Sequence, residues 1–523
     1  MIAIRLAALV CAGLMTLSAP MARAAPRCRK SCRQEAARCG TTRCSTLRGK
    51  ARRDCLETCR GISGCAPIRT LAYVVAQCHT DAGGLEVGRQ ALEIRRGDCD
   101  PVTVVTIGTE PVPDPLGLCR VYGQVRVGPL SVAVGGFQRL GVSPDGKGVV
   151  FEKSGDVALL HLPLASPQQP GFFFVRADGS GLRWLGPASR DPCFQLEPNR
   201  ASVIGFDTNV FPTLPFSPDG RCVVFTDLGP GPDGETVQIV TLDVASGRRN
   251  QVTHLPKPAS SIPGFPATSL AGFLDNETIG FYSFANPEGL NPEGQLTPFA
   301  VKIDGTKLRA LPPPIAQPGS QVIPRFAVTG GRARLATLTL DGQPMNHGVG
   351  PTGFFNSVIS EVFLLSGRDL LQLTKFDRVD TFGLFVDPTR HRAFFAASAD
   401  PVGSNPTQNC QLFSIDTSGE HLRQVTHFRE GNDSLGCAAT TPPGCFVSGG
   451  FFSAREDVRT GTIVFDSSCD PFGTNPYGDQ LFAIRSDGSR LSTLTHTKGF
   501  VEYPDGSVTT ELTGIWDYGP YGR

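Results

Sequence analysis

A strand–turn–strand unit that recurs along the chain constrains the fold more than any other feature of the sequence. The stretch "VSPDGKGVVFEK" (142–153) returns as "FSPDGRCVVFTD" (216–227). Ser-Pro-Asp-Gly has the composition of a tight turn, because proline presets φ, aspartate tolerates the next position and glycine ends the turn. The apolar triplet after it predicts a buried strand. Each copy therefore predicts a strand, a turn and a second strand.

A third and a fourth strand follow each turn. The third has an apolar core and ends at a turn, as in "FFFVRADGSG", "VQIVTLDVASG", "PFAVKIDGT", "EVFLLSG", "QLFSIDTSG" and "QLFAIRSDGS". The fourth carries Leu or Val with Thr, as in "NQVTHL", "LRQVTHF" and "LSTLTH". The copies recur at spacings of about 50 to 70 residues. One four-stranded unit cannot bury both faces alone, whereas units packed around an axis can, so the sequence predicts an all-β β-propeller.

The number of blades depends on the two ends of residues 66–523. The segments "LAYVVAQ", "QALEIRRGD" and "VTVVTI" predict the second, third and fourth strands of a degenerate first blade in 66–130. Residues 508–518 resemble an opening strand and would complete that blade, which favours seven blades. If 66–130 is instead a separate cap, the clear repeats in 131–500 make six blades, and both interpretations stay open.

The repeat resembles a known family. SPDG, an apolar triplet, a strand ending in Asp-Gly and a Leu-Thr strand are similar to the TolB-type, WD-like propeller repeat of bacterial exported proteins. The resemblance extends over 135–500, although copies such as "FLDNETIGF" and "FVDPTRHRAFF" depart from SPDG. It implies the architecture. The sequence has no counterpart to the N-terminal partner domain of TolB, so it does not imply the role of TolB in outer-membrane maintenance.

The N-terminus has the pattern of an export signal. Arg5, an apolar stretch from Leu6 to Leu17 and an A-x-A site at 22–24 predict a signal peptide over 1–24. We therefore expect a soluble periplasmic or secreted protein that is most simply a monomer. The net charge of +1 gives no reason to expect a nucleic-acid partner.

Residues 25–65 form a cysteine-rich, basic segment. Cys28 and Cys32 are four residues apart, as are Cys55 and Cys59, which places each pair on one helix face. Two antiparallel helices could therefore be joined as Cys28–Cys59 and Cys32–Cys55, a small α-helical hairpin held by disulfides. Residues 27–60 are strongly basic, which suggests either contact with an anionic surface or a solvated helical face.

Other cysteines suggest disulfides within the propeller, since export makes them common. The expected pairs are Cys193 with Cys222, Cys410 with Cys469, and Cys437 with Cys445. A catalytic thiol would need a nearby base, and the sequence supplies none.

Three similar loops precede third strands: "NPEGLNPEG" (286–294), "DPVGSNPTQN" (400–409) and "DPFGTNPYGD" (470–479). Their oxygen atoms make weak candidates for a Ca²⁺ site. The candidate ligands are Asp400, Asn405, Asp470, Asn475 and Asp479. Ordinary turn chemistry explains the same residues more simply, so no cofactor is expected.

The sequence supports two functional hypotheses. The first is a non-catalytic exported module that binds an envelope protein or a glycan, without catalytic or cofactor-binding residues. The alternative is a propeller hydrolase or lyase that acts at the mouth of the central channel, with acidic candidates at Asp207, Asp380 and Glu361. The repeated histidines His254, His427 and His496 are expected to lie on the surface of fourth strands.

Overall fold

The structure is a computed structural model with side chains. It describes residues 45, 48, 49, 52, 69–82, 85–97, 101–108, 112–113, 136–153, 158–160, 170–191, 214–259, 267–294, 297–311, 327–328, 333–339, 360–366, 369–376, 382–387, 391–397, 399–406, 408, 410–428, 455–457, 460–467, 469, 471–472 and 480–519. The predicted signal peptide and almost all of the predicted helical hairpin, with Cys28, Cys32, Cys55 and Cys59, lie outside these residues.

The described chain is built from short strands and one 3₁₀ turn (Pro287–Gly289). The strands are β1 (Thr70–Thr80), β2 (Leu85–Arg96), β3 (Val102–Gly108), β4 (Val112–Pro113), β5 (Phe137–Val142), β6 (Gly148–Lys153), β7 (Ala158–Leu160), β8 (Gly171–Arg176), β9 (Arg183–Pro187), β10 (Cys222–Gly231), β11 (Gly234–Asp243), β12 (Arg249–Gln251), β13 (Thr268–Phe273), β14 (Thr278–Ser283) and β15 (Thr297–Lys302). They continue as β16 (Arg309–Ala310), β17 (Ala327–Val328), β18 (Ala333–Thr339), β19 (Ser360–Ser366), β20 (Asp369–Gln372), β21 (Phe382–Asp387), β22 (Arg392–Ala397), β23 (Gln411–Asp416), β24 (Arg423–Gln424), β25 (Arg455–Asp457), β26 (Thr462–Ser467), β27 (Gln480–Arg485), β28 (Ser492–Thr493), β29 (Gly499–Glu502) and β30 (Val508–Gly519).

These strands form antiparallel sheets that follow one another along the chain. Sheet 1 has the order β29-β30-β1-β2-β3-β7, and β4 pairs with β2. Sheet 2 is β5-β6-β8-β9, sheet 3 is β10-β11-β12, sheet 4 is β13 to β16, sheet 5 is β17 to β20, sheet 6 is β21 to β24 and sheet 7 is β25 to β28. Sheet 1 alone combines strands from both ends of the described chain.

Each sheet is covered on both faces by its neighbours. Every residue of β6 and of β14 is buried, with none of the alternation expected of a strand that has one solvated face. Apolar clusters join sheets 1 and 2, 2 and 3, 3 and 4, 5 and 6, and 6 and 7. Strand β13 contacts β17 between sheets 4 and 5, and a further cluster joins sheet 7 to sheet 1. The succession closes on itself, which is the arrangement of a β-propeller.

The SPDG stretches form the turns that the sequence predicts. Gly146 N donates to Ser143 O at 2.8 Å, and Ser143 Oγ donates to Asp145 Oδ1 at 2.6 Å. The second copy repeats both bonds, from Gly220 to Ser217 and from Ser217 to Asp219. The twelve-residue repeat therefore encodes one self-bonded turn, which joins β5 to β6 in the first copy and, in the second, joins β10 to Phe216, whose pairing is an isolated β-bridge with Val223.

A hydrogen-bonded pair explains the threonine of the fourth-strand motif. Gln411, at the start of β23, accepts a bond at Oε1 from Thr426 Oγ1 (2.8 Å) and donates through Nε2 to Phe428 O (2.7 Å). The same relation recurs as Gln238 with Thr253 and Gln480 with Thr495, and Glu361 accepts from Thr374 in sheet 5. These buried side chains join the third strand to the segment after the fourth.

The predicted disulfide between Cys193 and Cys222 is wrong. Cys222 is a free, buried thiol at the start of β10. Its backbone amide is bonded to Ser217 Oγ (3.0 Å), so the SPDG turn fixes its position, and burial raises the pKa of the thiol. Cys193, like Cys437 and Cys445, lies outside the described residues.

Candidate binding rim

The candidate site is the rim on which second strands end and third strands begin. Corresponding strands run in the same direction in successive sheets of a propeller, so the connections β1–β2, β14–β15 and β22–β23 lie on one side of the ring. The β29–β30 turn lies on this side too, because Val508, which begins β30, pairs with Thr80, which ends β1. We call this side the loop rim.

The loops with calcium-ligand candidates are held by their own side chains. Asp400 Oδ1 accepts a bond from Asn405 N (2.7 Å), and Asn405 Nδ2 donates to Ala399 O (2.9 Å). In the preceding copy Asn291 N donates to Asn286 Oδ1 (2.7 Å). The structure thus brings Asp400 and Asn405 together in a turn, which supports the simpler interpretation of these loops.

The calcium site stays a prediction. Asp470, Asn475 and Asp479 lie outside the described residues. In the described ranges, no three His, Cys, Asp or Glu side chains form a group that could hold a metal ion.

Large apolar side chains are exposed on the loop rim. Leu290, Val402 and Tyr503 expose 36%, 43% and 40% of their surface, and they come from the β14–β15, β22–β23 and β29–β30 connections. The two other exposed large hydrophobic residues of the described chain, Trp184 and Leu371, lie on the fourth strands β9 and β20. Three different connections therefore present apolar groups on the same side of the ring.

At this rim β29 adds a further strand to sheet 1. The first residues of β30 pair with β29 on one side and with the end of β1 on the other. The turn between β29 and β30 is tight: Gly506 N donates to Tyr503 O (3.0 Å), and Ser507 Oγ donates to Asp505 Oδ1 (2.6 Å). The hydroxyl and the backbone amide of Ser507 hold the pKa of Asp505 below its ordinary value, so this carboxylate is charged at neutral pH.

A pocket of about 620 Å³ lies beside this turn and is open to solvent. It is lined by His79, Tyr503, Pro504, Asp505, Ser507 and Thr509. His79 Nδ1 and Thr509 Oγ1 are 3.0 Å apart, which joins the imidazole of β1 to β30. The pocket thus combines an aromatic ring, a carboxylate and two hydroxyl groups of the β29–β30 hairpin with an imidazole of β1.

A buried ionic network joins sheets 2 and 3 near the same rim. Arg139 Nε lies 3.4 Å from Glu152 Oε2, and Glu152 Oε1 accepts a bond from Ser189 N (2.6 Å). Asp227 accepts from Arg249 Nη1 at 2.8 Å. Burial raises the pKa of Glu152, and Arg139 acts against that rise. We interpret these charges as a rigid support for the rim, because their groups are engaged with one another and with the backbone.

Among the acidic and histidine candidates that the structure describes, Glu361 is buried and the three histidines are exposed. Glu361 is fully buried and accepts bonds from Thr374 Oγ1 and from Phe376 N (2.6 Å). His254, His427 and His496 are exposed after their fourth strands, as predicted for a surface feature of the repeat. Asp207 and Asp380 lie outside the described residues.

Cys410 and Cys469 lie close to the loop rim. Both are buried in the cluster between sheets 6 and 7, and each is disulfide-bonded, as is Cys78. Their pairing with each other stays a prediction.

The pocket residues were not predicted from the sequence. One signal was present, because Pro504-Asp505-Gly506 repeats the Pro-Asp-Gly sequence of the SPDG turns. His79 has no local motif, and only the pairing of β1 with β30 brings it to the pocket.

Comparisons with known proteins give remote structural likeness only. No protein-family model matches the chain, and no curated protein matches it. Among solved structures, the chain is similar to an acylaminoacyl peptidase of Pyrococcus horikoshii, with 10% identity, a TM-score of 0.42, and coverage of 82% of this chain and 52% of the peptidase. It thus spans about half the length of that enzyme.

Two further similar structures are shorter proteins. The β-propeller domain of the trilobed protease from Pyrococcus furiosus has 10% identity and a TM-score of 0.38, with coverage of 83% of this chain and 97% of that domain. TolB from Acinetobacter baumannii has 13% identity and a TM-score of 0.32, with coverage of 68% and 79%. Because these scores lie below 0.5, the propeller is assigned from the strand order and packing of this chain.

Among the described residues, no helix is long and apolar enough to cross a lipid bilayer.

Proposed function

We propose that this protein is an exported, non-catalytic binding module that holds an envelope protein or a glycan on its loop rim. The observation that carries the proposal is the exposure of Leu290, Val402 and Tyr503 on three connections of one rim. Loops on a rigid scaffold commonly carry the residues that bind partners.

The scaffold that we propose is a seven-bladed ring. Seven sheets in the described chain, with cyclic packing between them, support this number. In this arrangement β30 is the innermost strand of the first blade, and β1, β2 and β3 are its second, third and fourth strands. The cysteine-rich segment 25–65 would be an attached helical hairpin whose basic face orients the ring on an anionic surface.

The buried position of Glu361 favours the binding module over the hydrolase alternative. Glu361 occupies the position that a glutamine has in other sheets, where the glutamine bonds the third strand to the segment after the fourth strand. The Glu361 side chain is fully buried. A general acid or base must reach the substrate, directly or through one water molecule. Glu361 therefore has a structural explanation that needs no substrate.

The proposal is tested by comparing capture of partners by two full-length proteins. We would replace Leu290 and Val402 by serine together, and use Leu371→Ser as the control, because Leu371 is equally exposed but lies on a fourth strand. Proteins and glycans from the native envelope fraction would be captured by the wild type and each variant and compared quantitatively.

We expect the double variant to capture at least tenfold less of a specific partner than the wild type and Leu371→Ser do. Equal capture by all three proteins would show that the rim does not bind the partner. Circular dichroism and thermal unfolding would establish that the variants keep the fold.

A further inference from the structure

We propose that the pocket formed by His79, Tyr503, Asp505 and Thr509 binds a neutral sugar unit of a glycan. This inference rests on the proposed function and specifies the ligand class of one part of the loop rim. The pocket lies where β29, β30 and β1 meet on the loop rim and is open to solvent, so a long polymer can reach it.

Tyr503 supplies the apolar part of the site. The aromatic ring is exposed to 40% and adjoins Pro504 at the edge of the pocket. A pyranose has one face of C–H groups, which packs well on an aromatic ring, and the phenol hydroxyl remains free for a polar contact. The backbone of Tyr503 makes two bonds across the turn, because its amide donates to Ser507 O (2.9 Å) and its carbonyl accepts from Gly506 N (3.0 Å), so the ring is presented by a rigid segment.

Asp505 and His79 supply directional polar groups. In each side chain one polar atom is used inside the protein: Asp505 Oδ1 accepts from Ser507, and His79 Nδ1 is bonded to Thr509. No residue of the described chain forms a hydrogen bond with Asp505 Oδ2 or His79 Nε2. The internal bonds thus orient two free polar atoms, and such atoms suit the adjacent hydroxyl groups of a sugar ring.

The charge and size of the pocket restrict the ligand. The Asp505 carboxylate would repel a sugar that carries a carboxylate, sulfate or phosphate group. The pocket is wide open to solvent over a volume of about 620 Å³, so one sugar unit can enter it while neighbouring units of a chain continue into solvent. A neutral hexose or N-acetylhexosamine within an oligosaccharide meets these conditions.

The test uses the full-length protein and three named probes: maltotetraose, cellotetraose and tetra-N-acetylchitotetraose. Binding would be measured by saturation-transfer NMR and by isothermal titration for Tyr503→Ala, Tyr503→Phe and Asp505→Asn. Asparagine keeps an acceptor oxygen for Ser507, so Asp505→Asn retains the turn and removes only the charge. Trp184→Ala is the control, because Trp184 is an exposed aromatic residue outside the pocket.

We expect at least one probe to bind the wild type and Trp184→Ala. Tyr503→Ala should lower the affinity at least tenfold and Asp505→Asn about threefold or more, while Tyr503→Phe retains most of the affinity because the aromatic face is preserved.

Three outcomes would overturn the inference: no binding of any probe, binding that Tyr503→Ala leaves unchanged, or capture of a protein partner that depends on Tyr503 without sugar binding. None of these outcomes removes the proposed function, because rim-dependent capture is tested separately at Leu290 and Val402. If the Leu290 and Val402 variant captured partners as well as the wild type while the pocket still bound sugar, binding would instead be restricted to the pocket.

Discussion

Asp517 accepts a hydrogen bond at Oδ2 from the backbone amide of Val142 at a distance of 2.8 Å, across a sequence separation of 375 residues. Asp517 lies on β30 and Val142 ends β5, so this bond joins the first strand of sheet 2 to the strand that completes sheet 1. Both residues are fully buried.

Replacing Asp517 by alanine should destabilise the fold. The variant leaves the Val142 amide buried without this acceptor, and an unsatisfied buried donor costs about 1–3 kcal/mol. Urea unfolding of Asp517→Ala measures the loss, and Glu420→Ala is the control, because Glu420 is exposed. Equal unfolding midpoints for the two variants would contradict a role for this bond in ring closure.

Gly247→Ala should destabilise the protein more than Gly419→Ala. Both glycines occupy the same turn of their repeats and have positive φ, +73° and +88°. An added Cβ at Gly247 would lie 2.4 Å from Leu185 O of the preceding sheet, whereas Gly419 has free space. We expect about 1–2 kcal/mol for Gly419→Ala from the backbone alone, and about 1–3 kcal/mol more for Gly247→Ala. Chemical denaturation of both variants provides the comparison.

Gln411→Glu should weaken the fold at neutral pH. Nε2 of Gln411 donates to Phe428 O, and a carboxylate would place two acceptors together in a fully buried site. The expected loss is about 2 kcal/mol. The introduced carboxyl should have a raised pKa in the folded state, so stability is retained below its unfolded pKa and lost as the pH rises through the folded pKa. Thermal unfolding between pH 4 and pH 8 tests this, with the exposed Ser418→Glu as the charge control.

The protein should lose stability in acid because of its Asp-Ser and Asp-Thr turns. In four aspartates, Asp178, Asp243, Asp304 and Asp505, the largest cause of a lowered pKa is a hydroxyl group two or three residues on, and backbone amides add to it. Carboxyls with a depressed folded pKa contribute stability above the unfolded pKa, and this is lost as the pH falls through the folded pKa. We expect the Tm to fall between about pH 4 and pH 2 at constant ionic strength, and Asp→Asn at the four positions to flatten that decline. An unchanged slope in the quadruple variant would contradict this assignment.

We expect Cys410 and Cys469 to be bonded to each other. Each is disulfide-bonded, and both are buried in one cluster between sheets 6 and 7. Proteolysis under non-reducing conditions, followed by mass spectrometry, should recover one peptide that links the two cysteines. Recovery of either cysteine attached to another partner would exclude the pair.

The repeat made the strands predictable, because each has a local apolar pattern and a local turn. The segment 508–518, proposed from its likeness to an opening strand, lies within β30 and pairs with β1. The Gln411–Thr426 relation was not predicted, although its threonine was visible in fourth-strand motifs such as "LRQVTHF". A hydrogen bond of this kind depends on the register of two strands, and composition alone does not show it.

The other features that were predicted wrongly or not at all also depend on the folded arrangement of the chain. The Cys193–Cys222 pair was inferred from flanking positions in sequence, but the direction of a thiol depends on the turn that holds it. The pocket joins His79 to Thr509 over a separation of 430 residues, and neither residue has a motif that connects it to the other. The short strands β4, β7 and β29 lie at the margins of sheet 1, where a few residues complete a ladder without an apolar repeat of their own.

The position of β30 has a consequence for biosynthesis. A nascent chain can assemble sheets 2 to 7 as each emerges, but sheet 1 remains without its inner strand until residues 508–519 leave the ribosome. Until then, the apolar faces of β1 and of sheet 7 have no cover from Trp516 and Tyr518. Premature termination by even a dozen residues should therefore yield an open, aggregation-prone arc in place of a slightly shorter ring.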